Sequence, residues 1–78
     1  MAAKQQPSWE DRAKRFLKAE LKRADVSYHE LAERLKKHGL QETEASIANK
    51  LSRGTFPATF FLATVAALEI EHIAMDAI

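Results

Sequence analysis

Residues 27 to 54 read SYHELAERLKKHGLQETEASIANKLSRG, and they divide into two short helices, each with its own start and stop. Ser27 and Glu30 form an S-x-x-E capping box, in which the hydroxyl bonds an orphan backbone N–H and the carboxylate reaches back to the cap's own N–H. The first helix therefore spans about 28–38. It closes there because Gly39 can take the left-handed conformation without a Cβ clash and Leu40 supplies the apolar contact that goes with it. Thr43 caps a second helix, about 44–53, with Glu44 in the first turn where the macrodipole favours a negative charge. Gly54 stops it. Leu31, Ala32 and Leu35 share one face of the first helix, and Ile47, Ala48 and Leu51 one face of the second. Two helices this short cannot bury their stripes against each other alone, so the flanking segments must supply a third surface.

Upstream, residues 1 to 7 are polar, carry a proline and show no periodicity, the pattern of a disordered tail. Ser8 and Asp11 repeat the cap pattern and open a long helix. Its stripe is Trp9, Ala13, Phe16, Leu17, Glu20, Leu21 and Ala24. Its other face carries Arg12, Lys14, Arg15, Lys18, Lys22 and Arg23, either a solvated face whose stems cover apolar surface or a strip that contacts phosphates. Glu30 with Arg34 and Glu33 with Lys37 are i,i+4 pairs in the favourable order. Downstream, Pro57 suits the first turn of a fourth helix. Phe61, Leu62, Val65, Ala66 and Leu68 give that helix a broad apolar face, so it is expected to be the most buried, with Phe60 off to one side and partly exposed. The closing EHIAMDAI predicts a short fifth helix that either folds back on the core or packs on another copy of the chain.

The 78 residues make one domain, taken as 8–78, near the lower limit for a single unstapled core. There is no cysteine, hence no disulfide framework or thiolate zinc site, and a cytoplasmic location is expected. The N-terminus lacks the apolar run of a secretory signal, and the longest apolar stretch, 58 to 68, is too short to span a bilayer. Net charge is +1, but it is unevenly distributed. Residues 1 to 25 carry seven Lys/Arg against four Asp/Glu, residues 26 to 54 five against four, and residues 55 to 78 none against three. A basic first two thirds fits one face for an anionic partner and another for something else. His29, His38 and His72 share no metal-ligand spacing, Ser8 and Ser27 read as caps, and with Gly39 and Gly54 the only glycines no phosphate loop exists. No catalytic residue, metal, cofactor or small-molecule ligand is expected, and an enzyme is not.

The order long, short, short, buried, with S-Y-H-E-L-A-E-R-L opening one middle helix and S-I-A-N-K-L-S-R-G forming the other, resembles the lambda-repressor-like helix-turn-helix domains of the Cro type. Ser27, Leu31, Ala32, Arg53 and Gly54 match that pattern, while Tyr28 stands where glutamine is usual and Ser52 where glutamate is usual. Between Ala32 and Gly39 this chain has about one helical turn more than the family, so the first motif helix is elongated with its apolar face still inward. A set of small bacterial domains is similar over nearly all of Arg12 to Thr64, including A-S-I-A-N-K-L-S-R-G-T-F. The resemblance implies a compact all-α domain of four to five helices.

It also implies a sequence-specific transcriptional regulator that places its second motif helix in the major groove of double-stranded DNA. The outward positions there are Glu44, Ala45, Ser46, Asn49, Lys50 and Arg53. Of these, Glu44, Ala45, Ser46, Asn49 and Lys50 are the candidate base readers: Asn pairs bidentately with adenine, Ser bonds several bases, Ala touches a thymine methyl and Lys reaches guanine. Lys14, Arg15, Tyr28, Lys50, Arg53 and the backbone N–H groups at the start of the Ser27 helix are the candidate phosphate contacts. Glu42 and Glu44 oppose this reading, because carboxylates between phosphate rows cost affinity. The alternative is a protein-interaction module, an antitoxin or adaptor, using the acidic, apolar C-terminal part with Phe56, Phe60, Ile73, Met75 and Ile78. The two are compatible, since a regulator can form a homodimer through that end.

Overall fold

The computed structural model describes residues 7–78, so the tail expected over 1–7 lies, apart from Pro7, outside the described residues. Four helices follow in order: α1 (Trp9–Ala24), α2 (Tyr28–Lys37), α3 (Glu44–Arg53) and α4 (Ala58–Ala67). The expected fifth helix is only a 3-10 turn, Met75–Ala77. Among the described residues there is no strand, and the domain is all-α.

Three of the four starts are set by a hydroxyl, while α4 begins after Pro57 with no side-chain cap bond. The side chains of Ser8, Ser27 and Thr43 accept from the backbone N–H of Asp11, Glu30 and Ser46 respectively. The box expected at Ser27 is only half formed, because the Glu30 carboxylate turns to the Arg34 guanidinium at 2.7 Å. A charge-assisted bond to a guanidinium is stronger than one to a neutral backbone N–H. The complete box is at Thr43, where Ser46 Oγ returns to accept from the Thr43 N–H. Glu33 pairs with Lys36 at 3.8 Å rather than with Lys37.

Three of the stops share one device. Asp25, Gly39 and Glu69 all lie in the left-handed region, and the N–H of the next residue returns to a carbonyl five positions back: Val26 to Leu21, Leu40 to Leu35, Ile70 to Val65. This is the Schellman arrangement, and each time the following apolar residue packs on the core. Only Gly39 announced it in the sequence.

α3 packs against both α1 and α2, and α4 packs against α2. The core they enclose comprises Leu17 and Leu21 of α1, Leu31 and Leu35 of α2, Ile47 and Leu51 of α3, and Phe60 of α4, all essentially solvent-free. Arg34 ties α2 to the end of α4 through a 3.0 Å bond to the Ala67 carbonyl. Phe60 and Leu62 reverse the face expected of α4. Phe60 is 1% exposed, whereas Leu62 is 63% exposed. α4 is apolar on every side, so its sequence could not say which face turns inward, and the choice was made by packing on α2 and by the Phe56–Phe60 ring contact at 5.3 Å. On α1, Trp9 and Ala24 lie outside the buried stripe.

Thr64 is wholly buried and its hydroxyl has no hydrogen-bond partner among the described residues. An unpaired buried hydroxyl costs stability that a methyl group of similar volume does not. Thr64→Val is therefore expected to stabilise the domain by about 1 kcal/mol, raising Tm by about 4–8 °C in a domain of this size. Thr64→Ser, which keeps the hydroxyl and loses the methyl, should lower Tm in the same thermal scan.

Candidate nucleic-acid interface

α3 is cut sharply at both ends, by Thr43 and by Gly54 in the left-handed conformation. Ile47 and Leu51 anchor its inner side, which leaves Glu44, Ala45, Asn49, Ser52 and Arg53 exposed. Of the five candidate base readers, Glu44, Ala45 and Asn49 are thus presented outward.

Ser46 and Lys50 are not. Ser46 is half-buried, and its hydroxyl donates to Glu42 Oε1 at 2.6 Å. Lys50 Nζ reaches the same oxygen at 3.1 Å, with the two side chains only 21% and 9% exposed, and sits 5.5 Å from the centre of the Phe60 ring. Lys50 was expected to face outward; it folds across the helix instead. A half-buried carboxylate needs a cation close by, and the face of Phe60 provides a second attraction for that cation. The lock also answers the objection that Glu42 posed, since its charge is neutralised inside the protein before any phosphate approaches.

The sequence contained a trace of this lock in the four-residue spacing of Glu42, Ser46 and Lys50. The trace was hard to see because Glu42 precedes the cap, where helical spacing does not apply.

Asn49 is tied to Arg53. Arg53 Nη1 donates to Asn49 Oδ1 at 2.8 Å, and Nε donates to Thr55 Oγ1 at 3.3 Å. A guanidinium can only donate, so it fixes which end of the exposed Asn49 amide is the oxygen, and that oxygen's second lone pair and both amide N–H groups are left without a partner among the described residues.

The candidate phosphate contacts separate into two groups. Lys14 lies beside α3, with its ammonium 3.4 Å from the Ser52 carbonyl and 3.5 Å from the Asp11 carboxylate. Lys18 is exposed one turn further along α1. Tyr28 is half-buried against the core at the start of α2. There Ser27 occupies the Glu30 N–H, and the earlier N–H groups point out of the helix end. Arg15, in contrast, lines a cleft with Arg12, Ala77 and Ile78. That cleft lies between α1 and the terminal segment, so the structure does not bring Arg15 to α3. Lys14 and Arg15 are adjacent in sequence, but one step around a helix is about 100°, which puts them on different flanks.

Among the described residues no group of three or more His, Asp or Glu could hold a metal ion. No helix among them is long and apolar enough to cross a membrane. Residues 9–73 match the model of a family described as a domain of unknown function (DUF6471). No curated protein and no solved structure matches the chain.

Proposed function

The chain belongs to the DUF6471 family, and for it we propose a sequence-specific DNA-binding function: a lambda-repressor-like transcriptional regulator that lays α3 in the major groove. The observation that carries the reading is the outer side of α3, a short helix held by α1 and α2 that turns Glu44, Ala45, Asn49 and Arg53 to solvent while Glu42 is neutralised by Lys50. Asn49, with its amide oriented by Arg53, is the reader of adenine, and Ala45 offers its methyl to thymine. Glu44 has no ion-pair partner among the described residues, and within a groove it accepts from the amino group of cytosine. Lys14, Lys18 and Arg53 supply charge to the phosphates flanking the groove, which sets register but not sequence.

A fluorescence-anisotropy titration against a duplex selected from a random pool tests this. With roughly three phosphates neutralised, the log–log slope of affinity against salt should be about −3. Asn49→Ala should weaken the selected duplex about 5- to 150-fold, corresponding to about 1–3 kcal/mol for a bidentate base contact, and leave the slope unchanged. Lys18→Gln should reduce the slope by about one unit and weaken all duplexes alike. No binding at low salt, or a slope near zero, would end the proposal.

A further inference from the structure

DNA reading gives no role to the cleft that holds Arg15 away from α3. That cleft encloses about 480 Å³, and Arg12, Arg15, Phe16, Glu20, Arg23 and Ile78 are among the residues that line it. The five from α1 are spaced by near-multiples of the helical repeat, so they share one face of the helix. Three guanidiniums and a single carboxylate thus meet in one hollow, which makes it cationic.

The three arginines are in different states. Arg23 is occupied by Glu20, whose carboxylate it meets at 2.7 Å. Arg12 is held rigidly: its guanidinium carbon lies 4.0 Å from the centre of the Trp9 ring, and its Nε and Nη2 both donate to the Ile78 carbonyl, at 3.3 and 3.0 Å. Those bonds leave Arg12 Nη1 to donate elsewhere. Arg15 is exposed and has no ion-pair partner among the described residues. A fixed guanidinium therefore stands one helical turn from a free one, inside the same cleft.

The chemistry of a ligand follows from these groups. A planar guanidinium fork matches the two oxygens of a carboxylate side by side, and a guanidinium already held in place loses less freedom on binding. Beside the arginines, Phe16 and Ile78 are only half-buried and line the cleft as well. A bare anion would leave that apolar surface in water, whereas an apolar body joined to the carboxylate would cover it.

We propose that the cleft binds an organic carboxylate with an apolar body, its carboxylate taken by Arg15 and Arg12 Nη1 and its body laid on Phe16 and Ile78. The sequence predicts no small-molecule ligand, because Arg12 and Ile78 stand 66 positions apart in the chain and only the fold joins them. The site is on a different flank of α1 from α3 and does not depend on DNA being bound.

Isothermal titration calorimetry of the full chain with phenylbutyrate, without DNA and at fixed ionic strength, tests this. Binding should saturate with a dissociation constant of about 1 mM or tighter. Phenylbutanol, which lacks the charge, and inorganic phosphate, which lacks the apolar body, should each bind about 10-fold more weakly or worse. Arg15→Gln, at an exposed position where far-UV circular dichroism should show an unchanged fold, should weaken phenylbutyrate about 10-fold. Arg15→Lys, which keeps the charge without the planar fork, should weaken it by less. Lys22→Gln removes an exposed cation of α1 outside the lining and should bind as the parent does. Amide shifts caused by the probe should fall on Arg15 to Arg23 and on Ala77 and Ile78. No saturable binding would overturn the proposal, as would full affinity in Arg15→Gln or equal affinity for phenylbutanol or phosphate. Shifts confined to Trp9, Phe61 and Met75 would also overturn it, by placing the probe in the neighbouring apolar groove. Because no DNA is present, failure here is separate from failure of the α3 reading.

Discussion

Gly54→Ala is expected to destabilise the domain by about 2–5 kcal/mol, through two additive causes. Gly54 sits at φ +78, where a Cβ costs about 1–2 kcal/mol. A Cβ at this position would also lie 2.8 Å from the Glu10 carbonyl carbon and closer still to its oxygen. Those are backbone atoms in the first turn of α1, so no side chain can swing aside and the helix itself must move, at about 1–3 kcal/mol. A domain of 78 residues holds about 4–12 kcal/mol in all, at roughly 0.05–0.15 kcal/mol per residue. The variant should therefore lose a large fraction of its stability and melt well below the parent domain. Gly39→Ala is the matched control, because Gly39 has φ +83 and nothing within 4 Å of an added Cβ. It should lose only the conformational part, about 1–2 kcal/mol. Urea denaturation of both variants measures the difference. Equal losses would mean that the α1–α3 junction yields without strain.

The second large effect separates two neighbours on α4. Phe60→Ala should cost about 3–5 kcal/mol, because the ring is 1% exposed and its removal opens a cavity that touches Phe56 and the Glu42–Lys50 pair. Leu62→Ala should change stability by no more than about 0.5 kcal/mol, because its side chain is largely in water. Chemical denaturation of the pair tests the burial pattern on which the fold rests. A larger loss for Leu62→Ala would reverse the face that α4 turns inward.

This pair also marks what the sequence could and could not reveal. The middle helices were legible nearly to the residue because their cues were local: Ser27, Gly39 with Leu40, Thr43 and Gly54 each fix a chain end by a bond within four or five residues. α4 was legible as a helix but not in its orientation, since a helix that is apolar on all sides has no preferred face until a neighbour provides one. The left-handed stops at Asp25 and Glu69 were hidden for a related reason. Non-glycine residues adopt that conformation when the next apolar residue gains a place in the core, and this gain is a tertiary one. At the candidate interface Glu44, Ala45 and Asn49 stand where helical periodicity put them. Lys50 does not, because its position is decided by Glu42, a residue outside the helix whose carboxylate folds back over it.

Whether α3 reads DNA is decided by an amide chemical-shift titration of the labelled protein with the selected duplex. The shifts should concentrate on Glu44 to Arg53, with smaller ones at Tyr28, Lys14 and Lys18, while Phe60, Thr64 and the terminal Met75–Ala77 turn stay still. A titration in which the α3 amides do not move, or in which only the terminal turn does, would contradict that reading.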